Sequence, residues 1–357
     1  MNDRLVESFC DLVRVDSESG DEARFQEHLK VRLERELHAT CTLDAYGNLV
    51  ARLPAVGSKK TEPILLGAHA DTVKPGKGIV PIVEDGVVHT DGTTILGADD
   101  KAAIAEIMEA LRTAARRPPV EVLVTRSEEI GTLGARNLDL SLVRSKIGFI
   151  VDTEELDQVT IGGPSRVTLD FEVIGKAAHA AEPEKGISAI RVAAEAITAF
   201  QEGRLDPETV ANVGTIQGGT IRNGIPERVT IQAECRSHSH EKCLAQVERM
   251  KAAFEKAASR VGARVEVTEN LEFRASRASE DSFLVQVAMA AIRDAGLTPR
   301  AKAILGGTDA LVLQGRGIQA VVLGMGGANI HSTDEEITAA ALAKATEILR
   351  RLLESLA

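Results

Sequence analysis

The sequence is poor in aromatic side chains. Its 357 residues include no tryptophan and one tyrosine, and aromatic residues make up 3% of the chain. Surfaces that bind carbohydrate or single-stranded nucleic acid stack their ligands on such rings, so a site of this kind is poorly supplied. The chain also lacks a cluster of basic residues, and its 42 lysines and arginines stand against 53 acidic residues. Because phosphate backbones require a basic face, we expect no nucleic-acid partner.

The sequence also lacks a disulfide framework and long apolar runs. Its four cysteines lie far apart or in unrelated settings, with no CxxC motif: Cys10, Cys41, Cys235 and Cys243. This distribution is typical of reduced thiols in the cytosol. No stretch approaches the ~20 apolar residues of a membrane-spanning helix, and the amino-terminal segment has no apolar core of an export signal. The sequence therefore predicts a cytoplasmic protein with no membrane partner.

The chain does contain alternating apolar runs and amphipathic segments, over a length that favours two domains. The helical stripe that follows Lys101 ends before Pro118. Apolar runs between such helices are typical of parallel strands buried on both faces, and here they cover residues 63–69, 120–125, 146–152 and 318–324. The pattern predicts an α/β fold with a mostly parallel sheet.

The pattern changes between residues 163 and 274, where strands alternate apolar and polar side chains, as in antiparallel sheets with one wet face. The element order is that of a ferredoxin-like β-α-β-β-α-β unit, with strands at 166–174, 210–217, 229–236 and 264–270 and helices at 187–200 and 240–260. We therefore predict an α+β domain, 163–274, inserted into a domain formed by 1–162 and 275–357. The latter resumes with a helix at 281–295 and closes with a helix from Asp334.

Residues that can bind metal or transfer protons follow the predicted parallel strands. His69 and Asp71 end the first run on the same side of the strand, where the carboxylate could orient the imidazole. The others are Asp99 at the start of the helix, Glu128 and Glu129 after 120–125, Asp152 at the end of 146–152, and His331 after 318–324. Each alone has an ordinary explanation, such as a helix cap or a solvated acid. Their common place beyond the carboxyl ends of parallel strands indicates one site.

These residues together fit a site for two metal ions. Two divalent ions bound by three carboxylates keep a positive remainder, which favours hydroxide or a developing oxyanion. Two imidazoles with carboxylates, and no thiolate nearby, suit zinc, with cobalt or manganese as substitutes. One carboxylate of the adjacent Glu128–Glu129 pair remains beside the ligands.

Five motifs in order resemble a known family: GAHADTV, GADDKAA, SEEIG, the VDT strand end and NIHST. They are similar to those of the dizinc metallopeptidases that include peptidase T, carboxypeptidase G and the aminoacylases. The resemblance runs nearly the whole length and implies a zinc-exopeptidase-like catalytic domain with an inserted lid and dimerisation domain, hence a homodimer. It also implies that Asp99 bridges two metals, that His69 and Asp152 complete one, and that Glu129 and His331 complete the other.

The same resemblance implies roles outside the metal ligands. Glu128 is expected to be the base that takes a proton from water and returns it to the leaving amine. His179, in GKAAHA, is similar to the lid histidine that stabilises the oxyanion, often from the partner subunit, and a structural role for it stays open. Four positions match the family's substrate cleft: Asn223, Arg236, Gly307 and Thr308.

A second ligand-like cluster has the spacing C-x2-H-x-H-x2-C and comprises Cys235, His238, His240 and Cys243. The segment has the pattern of a strand passing into a helix, with Cys235 on the apolar face and Ser239 as the cap. The four side chains should therefore point in different directions, and we predict no metal site there.

The leading hypothesis is a zinc-dependent exopeptidase of peptidase T type, an aminopeptidase acting on short peptides such as tripeptides. Peptidase T commonly has an arginine immediately before the GGTD turn, where it could grip a peptide carboxylate, whereas this chain has Leu305. Arg236 or Arg222 could supply that charge. The alternatives are an amidohydrolase or deacylase of N-acyl amino acids, or a carboxypeptidase, on the same scaffold. A non-enzymatic binder would be expected to lack the base or a ligand, and here all are present.

Overall fold

The computed structural model describes residues 3–357; Met1 and Asn2, where the predicted catalytic domain begins, lie outside the described residues. Its α-helices are α1 (Asp3–Val13), α2 (Ala23–Leu37), α3 (Ala98–Thr113), α4 (Leu133–Asn137), α5 (Ala189–Ile197), α6 (His240–Ser259), α7 (Phe283–Asp294), α8 (Asp309–Gly315) and α9 (Ala339–Ser355). Short 3-10 helices occupy Leu140–Leu142 and Pro183–Lys185.

The strands are β1 (Thr40–Leu43), β2 (Leu49–Leu53), β3 (Ile64–His69), β4 (Ile82–Glu84), β5 (Val87–His89), β6 (Val120–Thr125), β7 (Ile147–Thr153), β8 (Gln158–Gly163), β9 (Ser165–Ile174), β10 (Ala178–His179), β11 (Gly203–Asp206), β12 (Thr209–Gly218), β13 (Gly224–Ile225), β14 (Arg228–Ser237), β15 (Arg264–Phe273), β16 (Ser276–Arg277), β17 (Arg300–Ala303), β18 (Gln319–Gly324), β19 (Gly327–Ala328) and β20 (Glu336–Thr338). No helix within residues 3–357 has the length and apolar character needed to cross a membrane.

The chain forms two compact units, and the first comprises Met1–Gly162, Arg277–Ala303 and Thr308–Ala357. Its sheet runs β1-β2-β6-β3-β7-β18-β8, with β17 beside β8. The neighbours from β6 to β18 are parallel, which confirms the predicted mostly parallel sheet. Leu66 of β3 belongs to the larger core and Leu65 to a smaller core that includes Leu313 of α8. Apolar residues fill both faces, so polar site residues are confined to the strand ends.

The second unit comprises Gly163–Ser276 and Ile304–Gly307. Its sheet has the order β11-β12-β14-β9-β15, with every neighbouring pair antiparallel. Alternate residues of β9 are buried, and Phe171 stacks on Phe254 of α6 with ring centroids 4.0 Å apart. Apart from β11 and the short strands β10 and β13, which the sequence does not predict, this is the ferredoxin-like order of strands and helices. The unit extends two residues beyond the predicted boundary at 274 and includes four residues ahead of Thr308.

The prediction of a closing helix from Asp334 is wrong at its start. The helix α9 begins at Ala339, and the preceding residues form β20, which pairs with β5. The Thr338 hydroxyl accepts a hydrogen bond from the N–H of Ala341 at 3.0 Å and so caps the helix. The acidic run 334–336 resembles a helix start in sequence, but the side chain of Glu335 is engaged elsewhere in the fold.

Candidate active site

His69 ends β3 and is almost fully buried. Its Nδ1 lies 2.9 Å from the main-chain oxygen of Asp71, which can only accept, so in the neutral ring Nδ1 carries the proton. The free Nε2 lies 2.9 Å from Oδ1 of Asp99 and 3.6 Å from Oδ1 of Asp152. An imidazole held in this way presents an unprotonated nitrogen to a metal between the two carboxylates.

Asp99 lies at the amino end of α3, where its backbone is not helical (φ −80°, ψ 101°). Its side chain does not cap the helix, because Oδ1 faces Nε2 of His69 at 2.9 Å and Oδ2 faces Nε2 of His331 at 3.2 Å. The two oxygens of one carboxylate thus address two imidazoles. This is the geometry that a carboxylate bridging two metal ions requires.

His331 lies in the loop after β19, with its side chain half exposed and its Nε2 2.9 Å from Oε1 of Glu129. Its backbone has a φ of 62°, a left-handed conformation that a residue with a side chain rarely adopts. Asn329, two residues earlier, has a φ of 55°. The loop therefore holds His331 in a strained conformation that places the imidazole beside Glu129 and Asp99.

The segment that carries Glu128 and Glu129 follows β6 and is held by buried carboxylates. The carboxylate of Asp71 accepts the N–H of Glu128 at 2.8 Å and the N–H of Glu129 at 3.2 Å. Glu22 accepts both the N–H and the hydroxyl of Ser127, whose φ is 53°. Oδ1 of Asp71 lies 3.5 Å from Nδ1 of His69. The Asp71 carboxylate therefore lies beside the imidazole, as expected, and also holds the backbone of the two acids.

Several acidic side chains surround the two imidazoles, and their proximity and burial shift the pKa values of the cluster. Burial raises the pKa of Asp152 to about 6. Burial, then the nearby Asp152 carboxylate, raise the pKa of Glu128 well above its usual range. Burial opposes ionisation of Asp99, but hydrogen bonds from His331 and His69 outweigh it and lower its pKa. Hydrogen bonds to Asp99 and Glu129 raise the pKa of His331 to about 10. A divalent cation would relieve this repulsion.

The donor set fits such cations. Potential ligand atoms form two groups, and within each group all the atoms lie within 4.8 Å of one another. The groups are His69 with Asp99 and Glu129, and His69 with Asp100 and Asp152. Ligands at ~2 Å from one zinc ion stand roughly 3.5 Å apart, so small shifts would close either shell. Asp100 is not among the sequence-predicted residues; its Oδ2 accepts the N–H of His69 at 3.0 Å, and its buried Oδ1 has no hydrogen-bond partner. The only sequence feature that could have indicated Asp100 as a ligand is its position beside Asp99 in the GADD motif.

Comparison with known proteins decides the family. The model for peptidase family M20/M25/M40 matches residues 65–355. The chain belongs to this family. The aminopeptidase PepT of Bacillus cereus shares 38% identity over 99% of this chain and 98% of its own, with a TM-score of 0.89. A tripeptidase of Staphylococcus aureus shares 32% identity over the same fractions, with a TM-score of 0.94. Protein YqjE of Bacillus subtilis shares 38% identity over 99% of this chain and 98% of its length.

These matches confirm the predicted family, its α/β fold and the expectation of a metallopeptidase. The GGTDA turn, residues 306–310, contains a further buried acid. Asp309 begins α8 and accepts a hydrogen bond from the Thr125 hydroxyl at the end of β6. Burial raises the pKa of Asp309 to about 7. Thr308, predicted to contact substrate, is buried immediately before it. Asp309 thus fastens the GGTD turn to the strand that precedes Glu128.

His179, the predicted oxyanion donor, and Asn223, predicted for the substrate cleft, lie together in the second unit of this peptidase. The exposed His179 pairs with Gly224 in the short ladder between β10 and β13. Its Nδ1 accepts the N–H of Ala181 at 3.1 Å, so its neutral ring carries the proton on Nε2 and can donate from there. The carbonyl of Asn223 accepts the N–H of Ala180 at 2.9 Å. The main chain therefore fixes His179 beside Asn223.

Arg236 and Gly307 also lie in the second unit. The guanidinium of Arg236 donates to both carboxylate oxygens of Glu234, at 2.9 and 3.2 Å, and to the carbonyl of Leu305 at 3.1 Å. A Cβ on Gly307 would lie 2.7 Å from the ring of Phe273, so only glycine fits there. Glu234 also pairs with Arg166 at 2.8 Å, so one carboxylate is shared by two guanidinium groups, and Arg236 is held in place by Glu234 and Leu305.

The second ligand-like cluster does not converge. Cys243 is buried and donates to the carbonyls of Cys235 at 3.4 Å and Ser165 at 3.7 Å, while Nδ1 of His240 lies 2.9 Å from the Ser165 hydroxyl. Ser239 caps α6, as predicted. Across residues 3–357, potential ligands converge only in the two groups around His69. This spacing reflects a strand-to-helix junction.

Proposed function

We propose that this chain is a zinc-dependent aminopeptidase of short peptides such as tripeptides. The observation that carries the proposal is the placement of the Asp99 carboxylate between His69 and His331. A carboxylate shared by two imidazoles suits a pair of metal ions better than one. The aminopeptidase and the tripeptidase that share 38% and 32% identity with the chain support this substrate class.

Asp99 would hold both ions, with His69 and Asp152 completing one shell and Glu129 and His331 the other. Zinc would supply a Lewis acid that polarises the scissile carbonyl and acidifies water. Glu128 accepts the proton of the attacking water and returns it to the leaving amine. Burial raises the pKa of Glu128, which favours uptake of the proton from water, and the protonated carboxyl can then return it to the leaving amine. Its backbone N–H on Asp71 fixes where it stands.

In the second unit, we propose that the Nε2–H of His179 stabilises the oxyanion, and that Asn223, Arg236, Gly307 and Thr308 line the substrate cleft. The exposure of His179 and its fixed Nδ1 support a donating role. We further propose a cytoplasmic homodimer formed through the second unit. The four free cysteines support a reducing compartment.

Leu305 favours a second candidate function, deacylation of N-acyl amino acids. This residue replaces a cation that would bind a peptide carboxylate, and the nearby Arg236 is engaged with Glu234. The carboxylate of an N-acyl amino acid lies one residue beyond the scissile amide, whereas that of a tripeptide lies two residues beyond it. A cation placed for the tripeptide carboxylate is therefore not needed by the N-acyl substrate.

The two functions are separated by assaying zinc-loaded protein on dipeptides, on tripeptides with free or acetylated amino termini, and on N-acyl amino acids. We expect cleavage of free tripeptides, loss of cleavage on acetylation, and loss of all activity with a chelator. Preferred hydrolysis of N-acyl amino acids would establish the deacylase. Activity that a chelator does not affect would overturn both.

A further inference from the structure

The carboxylate of Glu335 is buried inside the first unit, with 1% of the residue exposed, and binds only backbone N–H groups. Oε2 accepts the N–H of Leu96 at 2.8 Å and of Gly97 at 2.6 Å, and Oε1 accepts the N–H of Asp99 at 3.0 Å. Two of the donors belong to the turn that leads into α3, and the third, Asp99, is the second residue of α3. The amide of Asp99 itself is thus fixed by a side chain from more than two hundred residues away.

Glu335 is also tied to His331. It lies four residues later in the same loop, and its own N–H donates to the carbonyl of Ser332 at 3.2 Å. The side chain of Asn329 donates to the carbonyl of Asp334 at 3.3 Å, which closes the loop on itself. Glu335 therefore connects the loop that bears one imidazole to the segment that bears Asp99.

The other half of the centre has the same arrangement. His69 is followed by Asp71, whose carboxylate accepts the backbone N–H groups of Glu128 and Glu129. In both cases a buried carboxylate follows the histidine by a few residues in the same segment. That carboxylate accepts backbone N–H groups from another segment, which carries an acidic residue of the centre. The arrangement fixes pairs of ligands that come from distant parts of the sequence.

A cap for α3 is the simpler explanation of Glu335, because a carboxylate at a helix amino end satisfies unpaired N–H groups. The helical backbone, however, starts only after Asp100, and two of the three donors lie before Ala98. The contacts thus set the direction in which Asp99 leaves the turn. A residue that only caps α3 would not need to bind N–H groups before the helix, and it would not need to come from the loop that carries His331.

We propose that Glu335 is a positioning residue that fixes Asp99 against His331 and so determines affinity for the metal ion held by His331 and Glu129. This inference rests on the two-metal centre proposed above. The ion held by His69 and Asp152 shares Asp99 but should depend on Glu335 less, because His69 is fixed by β3 and by the Asp71 main chain. Partners of metal ligands typically alter affinity about 10–100-fold when removed.

The test is a zinc titration of the full chain against a competing chelator, comparing the native protein with Glu335→Gln. The glutamine keeps the size of the side chain but turns an N–H donor toward the turn. We expect the native protein to bind two equivalents, and the variant to bind the second about 10–100-fold more weakly, with a smaller loss of affinity for the first. Saturating zinc should then restore kcat without changing KM. The control is Asp334→Asn, which removes the same charge from the exposed neighbouring residue and should behave as native.

Three outcomes would overturn the proposal. In the first, native affinity for both equivalents in the Glu335→Gln protein shows that the contact does not govern binding. In the second, equal weakening of both equivalents with a lowered melting temperature shows a merely structural cap. In the third, neither Glu335→Gln nor the shorter, still acidic Glu335→Asp folds. Failure of the proposed function looks different, because the native protein itself would then bind fewer than two equivalents.

Discussion

The two units of this peptidase hold their candidate functional residues in different ways. In the first unit, Asp99 and Glu129 stand on backbone segments that the buried carboxylates of Glu335 and Asp71 grip. In the second, the side chain of His179 is exposed and hydrogen-bonded only to a nearby backbone N–H. Preorganised charge is needed where the chemistry takes place, whereas a surface that meets varied substrates gains from adjustable groups. The metal chemistry should therefore be sensitive to small changes, and recognition more tolerant.

The strongest way to sharpen this contrast is Glu128→Gln in the first unit. The amide cannot accept the proton of the attacking water, so we expect kcat to fall by about 10²–10⁴-fold. Zinc stoichiometry and melting temperature should stay native, since the backbone contact of Glu128 with Asp71 does not use its side chain. The measurement is single-turnover hydrolysis together with zinc content. Full activity in this variant would remove Glu128 as the base.

A smaller effect is expected from His179→Ala in the second unit. Removal of one oxyanion donor typically lowers kcat by about 10²–10³-fold, with zinc binding unchanged. His238→Ala is the matched control, because it removes another histidine of the same unit that has no proposed role. Native kcat and KM in both variants would show that His179 is an ordinary surface residue and donates no hydrogen bond to the oxyanion.

The sequence predicts the positions of the strands and of the residues at their ends, but not the contacts that orient those residues. The ends of β3, β6 and β7 could be placed from apolar runs, because strands buried on both faces leave few other interpretations. Their order in the sheet then brings His69, Glu129 and Asp152 to one edge without any knowledge of contacts. Sequence patterns thus predict which side chains meet at this edge of the sheet.

The contacts that orient these ligands could not be predicted. The spacing of His69 and Asp71 predicts that the carboxylate lies beside the imidazole. It does not predict that the same carboxylate also accepts the N–H groups of Glu128 and Glu129. The acidic run at 334–336 looks like a helix start, and nothing local shows that Glu335 instead reaches the turn before α3. Pairings between distant segments depend on loop paths, and those are set by packing.

The smallest effect is expected where spacing imitates a metal site. In the double variant Cys235→Ala with His238→Ala, zinc stoichiometry should remain that of the native protein, because no ligand group forms around these residues. Loss of the buried Cys235 side chain should still lower the free energy of unfolding by about 1 kcal/mol, since its neighbours in the second core keep their positions around a small void. Zinc content and urea unfolding measure the two effects separately. A loss of one zinc equivalent would mean that the second unit holds metal, and the contrast between a charged, rigid first unit and a metal-free second one would fail.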